Sequence, residues 1–147
     1  MRMNFSEIEL YEIARLIKEE EGNIAHLLQS HLSNTEETIK MLEELRLYYA
    51  RKEKQKKREQ RICNYIDNEE TLAYLKENFA DIFSFSSKAN GSPSVIIDNW
   101  QKHHQKVIEF FESLRSASED TDLVTDIDDI LTHEKDWHQK LLSLSTK

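Results

Sequence analysis

The sequence predicts an all-α protein, an antiparallel four-helix bundle with a long crossover between its second and third helices. The chain has 147 residues, of which 38% are hydrophobic, and this is enough for one domain with a hydrophobic core. It has two glycines and one proline, whereas all-β folds need such residues at their many turns. Its apolar residues recur at steps of three and four, which is the spacing of one helix face. We therefore expect a single domain over residues 1–147.

The first predicted helix covers about residues 6–31 and begins near Ser6, which can cap its first turn. Its apolar face consists of Leu10, Ile13, Ile17, Ile24, Leu27 and Leu28. Glu20 fills the gap in that face. The second helix covers about residues 35–66, after a Ser-Asn-Thr segment that breaks the pattern. Its face is first apolar and then polar, in the order Ile39, Leu42, Leu45, Tyr49, Glu53, Lys56 and Gln60.

The end of the second predicted helix is strongly basic, since seven of the eleven residues from 51 to 61 are lysine or arginine. One interpretation is a solvated helix extension that is stabilised by Glu–Lys pairs along its surface. The other is a docking surface for an acidic protein partner. The charge pattern alone leaves both open.

The long crossover is predicted to contain a short helix over about residues 69–85. Its apolar residues have helical spacing and are Leu72, Leu75, Phe79, Ile82 and Phe83. The crossover ends at Ser92-Pro93, where serine caps a helix and proline occupies its first position. The third helix then covers about residues 93–117. The fourth covers about residues 121–144 and opens in an acidic stretch that suits the positive end of a helix dipole.

Composition excludes several classes of protein. The single cysteine cannot form an internal disulfide or a thiolate metal site, which indicates a reducing compartment. The N-terminal segment carries acids where a secretory signal is apolar, and no apolar run approaches the roughly 20 residues that span a bilayer. A net charge of -8 disfavours nucleic acid as a partner. We therefore expect a cytoplasmic protein that binds neither membrane nor nucleic acid.

Polar residues interrupt the apolar face of each predicted helix. They are Glu20, Glu53, His104 and Glu134, and His138 follows one turn after Glu134. A buried carboxylate needs a charged partner, a hydrogen-bond network or a metal ion. In an antiparallel bundle these mid-helix positions meet near one layer, where carboxylates and imidazoles suit iron, manganese or zinc. Pairing with lysine or with a protonated histidine is the alternative that needs no metal.

Three segments resemble the rubrerythrin-type ferritin-like proteins, a family of di-iron carboxylate proteins. They are ILTHEKDWHQKLL in the fourth helix, KVIEFFESL in the third and TLAYLKENFADIF in the crossover. The resemblance extends over nearly the whole chain. It implies a ferritin-like four-helix bundle around two metal ions, which the family uses for peroxide or oxygen chemistry and for iron handling.

The match to the ligand positions of that family is incomplete. Glu134 matches the carboxylate of the fourth helix, but Trp137 stands where the family has histidine, and His138 lies one position later. Glu53 matches the carboxylate of the second helix, and Lys56 replaces its histidine. The resemblance therefore implies a degenerate site rather than a complete di-iron centre.

The two remaining ligand positions also differ from the family. His104 stands where the third helix of the family has glutamate, and the carboxylate of the first helix is Glu19 or Glu20. A remodelled site for one divalent ion, iron, manganese or zinc, would use Glu20, His104, Glu134 and His138. Alternatively, Lys56 neutralises the carboxylates and no metal is bound.

Two functions follow from these alternatives. The first is a metal-binding or redox protein with an altered site, active in iron or oxidant handling. The second is a non-catalytic helical interaction or structural protein that has lost the metals and binds a partner through the basic end of its second helix. With neither a glycine-rich loop nor a nucleophile beside a base, the sequence does not decide whether the protein is an enzyme. In either case aromatic residues near Tyr48, Tyr49 and Phe85 are expected at the surface and favour a homodimer.

Overall fold

The computed structural model describes residues 7–59, 89–117 and 121–146. These ranges contain four α-helices and no strand, which confirms the prediction of an all-α protein. The helices are α1 (Glu7–Leu27), α2 (Thr35–Glu59), α3 (Pro93–Ala117) and α4 (Thr121–Leu142). The predicted crossover helix at about 69–85 and the predicted end of the second helix at 66 lie outside the described residues. Within the described ranges, no helix has the length and apolar character that crossing a membrane requires.

The first helix ends earlier than predicted, at Leu27 instead of residue 31. The residues after it form a turn, in which the His31 N–H donates to the Leu28 carbonyl at 2.8 Å. The Thr35 hydroxyl, at the start of α2, donates to the Gln29 carbonyl at 2.7 Å. The helix stops here because bonds to the third preceding residue and to a side chain replace the regular helical pattern.

The fourth helix also ends earlier than predicted, at Leu142 instead of residue 144. The chain after it runs beside the turn that follows α1. The Ser33 N–H donates to the Ser145 carbonyl at 3.1 Å, and Leu32 and Thr146 form an isolated β-bridge. These bonds tie the ends of α1 and α4 together.

The start of α3 has the local chemistry that the sequence predicts. Pro93 is its first residue, and the N–H of Val95 donates to the Ser92 hydroxyl at 3.4 Å. The Ile96 N–H donates to the Ser92 carbonyl at 3.0 Å, which is the first regular bond of the helix. Gly91 has a φ of 104°, a conformation that residues with a side chain rarely adopt. A glycine, a cap and a proline thus define this boundary.

The hydrophobic core lies between the helices, where α1 packs against α2 and α4, and α3 packs against α4. Its largest fully buried aromatic side chains come from all four helices and are Tyr11, Tyr49, Trp100, Phe110, Phe111 and Trp137. The prediction that Tyr49 lies near the surface is therefore wrong, and Tyr48 is half-buried. Phe85 lies outside the described residues. The same core holds charged or ionisable side chains, which are Lys18, Glu21, Glu53, His103, His104, Asp126 and Glu134.

Candidate functional site

A buried lysine from α1 lies between two buried carboxylates. The Lys18 Nζ atom is 2.6 Å from Glu134 Oε1 and also donates to Glu21 Oε1, and all three side chains are at most 1% exposed. Burial favours a neutral amine, but the attraction of Glu134 and Glu21 outweighs it and raises the pKa of Lys18. Lys18 is therefore an ammonium ion that is held inside the protein by two negative charges.

The Glu21 carboxylate receives hydrogen bonds from three helices. The indole N–H groups of Trp100 and Trp137 donate to its Oε2 atom at 2.8 and 2.7 Å, while Lys18 donates to Oε1. The two indole rings lie 5.9 Å apart between centroids. Burial opposes the charge of Glu21, but Lys18 and His104 outweigh it and lower its pKa. Both oxygens of this buried carboxylate are thus satisfied by protein donors.

The Glu134 carboxylate of α4 is equally well bound. The Tyr49 hydroxyl donates to its Oε2 atom at 2.6 Å, and the His104 Nε2–H donates to Oε1 at 3.0 Å, beside the bond from Lys18. Burial opposes the charge, but Lys18 and His104 prevail and lower the pKa of Glu134 to about 2. Burial and the Glu134 charge raise the pKa of Tyr49 well above its usual value, so this hydroxyl remains a donor. We refer to Lys18, Glu21, Tyr49, His104 and Glu134 as the Lys18 cluster.

A pair of histidines connects this cluster with the surface of α4. The Nδ1 atoms of His104 and His138 lie 2.8 Å apart, and their rings stack with centroids 5.0 Å apart. His104 is fully buried, whereas His138 is half-buried. Burial and the neighbouring His104 lower the pKa of His138, which favours its neutral form. A series of hydrogen bonds therefore runs from Glu134 through His104 to His138.

Three of the five residues predicted as metal ligands come together, namely His104, Glu134 and His138. Glu53 is buried elsewhere, with its Oε2 atom 2.8 Å from Arg15 Nε and its Oε1 atom 3.3 Å from Lys57 Nζ. On the first helix the structure differs from the prediction by one residue. The core carboxylate is Glu21, while Glu20 is half-buried. The metal roles of Glu20 and Glu53 remain predictions.

A second group of polar residues lies nearer the start of α1 and α4. The Tyr11 hydroxyl donates to Asp126 at 3.2 Å and to Asp129 at 3.0 Å, and the Tyr48 hydroxyl donates to Asp129 at 2.8 Å. The Lys56 Nζ atom is 3.2 Å from Asp126 Oδ2. The ammonium between the two core carboxylates is thus that of Lys18, whereas the metal-free alternative drawn from the sequence assigned this role to Lys56. We refer to these residues, Tyr11, Tyr48, Lys56, Asp126 and Asp129, as the Tyr11 cluster.

The sequence did not single out Lys18 and Glu21, nor the role of the two tryptophans as hydrogen-bond donors. A usable signal exists on α1, where positions 10, 14, 17, 21, 24 and 28 alternate strictly in steps of four and three. That series passes through Ala14 and reaches Glu21. The competing series 13, 17, 20 and 24 passes through the larger side chain of Ile13 and reaches Glu20. We find no comparable signal for the two indole N–H donors.

Glu21, His104 and Glu134 form the one group among the described residues with the ligand chemistry of a metal site. One ligand atom from each lies within 4.8 Å of the others, and carboxylates with an imidazole suit iron, manganese or zinc. These residues fit such an ion only where Lys18 withdraws, because its ammonium already bonds to both carboxylates. No protein-family model, no curated protein and no solved structure matches the chain.

Proposed function

We propose that this chain is a ferritin-like four-helix bundle with a lost di-iron site, in which the Lys18 ammonium takes the place of the metal ions. In this proposal the protein is a non-catalytic helical interaction or structural protein. The observation that carries it is the position of Lys18 Nζ, which bonds to Glu21 and lies 2.6 Å from Glu134. An internal cation at this point neutralises the carboxylates that otherwise require a metal.

The hydrogen bonds of the Lys18 cluster support this assignment. Each oxygen of Glu21 and Glu134 accepts from at least one protein donor, so the carboxylates need no further ligand. Removal of one member of a buried ion pair typically costs about 3–5 kcal/mol, because the remaining charge is left uncompensated. A metal ion would have to replace the ammonium and compensate that loss.

Contacts between α1 and α2 support the antiparallel part of the proposed topology. Arg15, in the first half of α1, lies 2.8 Å from Glu53 near the end of α2. His26, near the end of α1, lines a crevice together with Ile39 near the start of α2. Residue numbers thus rise along one helix and fall along the other, which supports an antiparallel pair in our proposal.

Contacts between α3 and α4 follow the same rule. The Gln101 side chain donates to the Leu141 carbonyl at 3.1 Å, so the start of α3 lies beside the end of α4. At the other end, Arg115 pairs with Asp128 near the start of α4. The second helical pair is therefore also antiparallel in our proposal.

Contacts between α1 and α4 have the opposite relation, and this is the feature that favours a ferritin-like bundle. Tyr11 bonds to Asp126, and ten residues later Glu21 bonds to Trp137, so residue numbers rise together. Parallel α1 and α4, each with an antiparallel neighbour, require α2 and α3 to point the same way. The end of α2 and the start of α3 then lie at opposite ends of the bundle, as the predicted long crossover demands.

The proposal is tested by elemental analysis of protein purified without chelator and without nickel affinity resin. We expect no stoichiometric iron, manganese or zinc in the wild type, and no change of Tm when these ions are added. Lys18→Ala, which removes the internal cation, should then show a rise of Tm with added divalent ion. Stoichiometric metal in the wild type that disappears in a Glu21→Gln and Glu134→Gln double variant would overturn the proposal.

The second candidate function is metal binding in iron or oxidant handling, through a remodelled site for one divalent ion. The observation that favours it is the convergence of Glu21, His104 and Glu134 within 4.8 Å, with His138 behind His104. If the metal analysis supports this function, peroxide consumption by the metal-loaded protein is the next assay. The variant His138→Gln then serves as the control in this assay, since it leaves Glu21, His104 and Glu134 in place.

A further inference from the structure

We propose that a second copy of this chain docks on the exposed face of α2, with the two α2 helices antiparallel and a twofold axis near Leu47. The proposal concerns the outer surface of the bundle and is independent of the content of its core. It identifies one specific partner for a helix whose basic end alone suggested only an acidic partner.

The face in question is a regular stripe along the whole of α2. Its members are all exposed and follow one another at steps of three or four: Glu36, Lys40, Glu43, Leu47, Arg51, Lys54 and Arg58. This spacing places them in one row, as along the seam of two paired helices. The stripe points away from the core, which α2 meets through Leu42, Leu45 and Tyr49.

Charge along this face changes sign at its middle. The exposed acids lie in the first half of α2 and are Glu36, Glu37, Glu43 and Glu44, together with the exposed base Lys40. The other exposed bases lie in the second half and are Arg51, Lys54, Lys57 and Arg58. Leu47 is the central residue of Thr35–Glu59, and it is a large hydrophobic side chain that is 41% exposed. Such a helix face is complementary to an inverted copy of itself.

An antiparallel pair with its axis at Leu47 places opposite charges together. Glu43 meets Arg51 of the second copy, and Glu36 meets Arg58 of the second copy, each twice because of the symmetry. The two Leu47 side chains meet on the axis and shield each other from water. Lys40 opposite Lys54 is the unfavourable exception. A parallel pair would instead bring acids against acids and bases against bases, which selects the antiparallel arrangement.

Ion pairs within the chain compete with these contacts. Glu43 bonds to Arg46, and Glu37 lies 2.7 Å from Lys140, with glutamate side chains that are 52% and 65% exposed. Exposed pairs of this kind contribute little, about 0–1 kcal/mol each, so they can be exchanged for contacts with a second copy. An interface made of one leucine pair and charged residues is weak and sensitive to salt. We therefore expect a dimer in equilibrium with the monomer.

Sedimentation equilibrium over a range of concentrations tests this dimer, with circular dichroism to confirm that each variant is folded. We expect association of the wild type that weakens as salt is added. The variant Arg51→Glu with Arg58→Glu, and the variant Glu36→Lys with Glu43→Lys, should each weaken it by about tenfold or more. Mixing the two variants should restore association, since an acidic face then meets a basic one. The control Lys106→Glu with Lys135→Glu changes exposed lysines on α3 and α4 and should leave association unchanged.

Three results would overturn the proposal. The first is a wild type that stays monomeric at low salt and at the highest attainable concentration. The second is a mixture of the two variants that associates no better than either variant alone. The third is a monomeric wild type that binds a poly-glutamate peptide through Arg51 and Arg58, which would assign the basic half of α2 to an acidic partner instead.

Discussion

The Lys18 cluster and the Tyr11 cluster both hold carboxylates between α1 and α4, but they differ in burial. In the Lys18 cluster the side chains of Lys18, Glu21 and Glu134 are at most 1% exposed. In the Tyr11 cluster those of Lys56 and Asp126 are 15% and 12% exposed. Water therefore reaches part of the second cluster, although the Asp126 Oδ2 atom that faces Lys56 is itself buried.

The same pairing of lysine with carboxylate therefore contributes differently to stability at two places in one molecule. Where water is excluded, an unpaired charge has no substitute for its partner, and the whole cluster depends on each member. Where some water remains, each charge is partly screened and the loss of one partner costs less. Matched substitutions in the two clusters measure the contrast directly.

The largest effect is expected from the two lysines. Lys18→Met should reduce the free energy of unfolding by about 3–5 kcal/mol, because two buried carboxylates lose their shared cation. Lys56→Met should reduce it less, by about 1–2 kcal/mol, because only one carboxylate loses its cation and the Tyr11 hydroxyl still donates to that carboxylate, Asp126. Chemical denaturation of both variants and the wild type measures the two values. Equal losses would show that burial does not separate the clusters.

The next effect concerns pH, and its direction follows from the lowered pKa of Glu134. This group titrates near 4.5 in the unfolded chain and at about 2 in the folded protein. Its contribution to stability is therefore complete above pH 4.5 and is lost as the pH falls towards 2. The loss is on the order of 3 kcal/mol. Denaturation curves between these pH values measure it, and Glu134→Gln should flatten the profile; an unchanged profile would contradict the assignment.

The smallest effect is expected from the two tyrosines, which lie next to each other in the sequence. Tyr49→Phe removes a 2.6 Å bond to the buried Glu134 and should cost about 2 kcal/mol. Tyr48→Phe removes a bond to the more exposed Asp129 and should cost about 1 kcal/mol or less. The same denaturation assay compares them. A larger loss for Tyr48→Phe would reverse the ranking of the two clusters.

The parts of the fold that depend on residues adjacent in the sequence could be predicted. Gly91, Ser92 and Pro93 define the start of α3 through a backbone conformation, a cap and a missing N–H, all of which are local. The early end of α1 was not predictable in this way. It depends on the Thr35 hydroxyl, which reaches back across a turn to the Gln29 carbonyl.

The candidate site likewise has a part that the sequence predicted and a part that depends on residues far apart in the sequence. Glu134, His104 and His138 were found because polar residues on apolar helix faces are visible in the sequence. Glu21 was missed in favour of Glu20, because steps of three and of four both fit a helix face at that point. Glu21 rather than Glu20 is the core carboxylate that accepts hydrogen bonds from the indole N–H groups of Trp100 and Trp137. These residues lie 79 and 116 positions away from Glu21 in the sequence.

The helical class and the presence of carboxylates and imidazoles in the core can be inferred from the sequence alone. Periodicity, capping and the cost of burying a charge are properties of single segments, so they can be read without knowledge of the other segments. Which cation lies between the carboxylates depends on how the helices pack against one another. Lysines occur on both α1 and α2, and the metal-free alternative drawn from the sequence assigned this role to Lys56. The packing of α1 against α4 places Lys18, and no other lysine of the described residues, between Glu21 and Glu134.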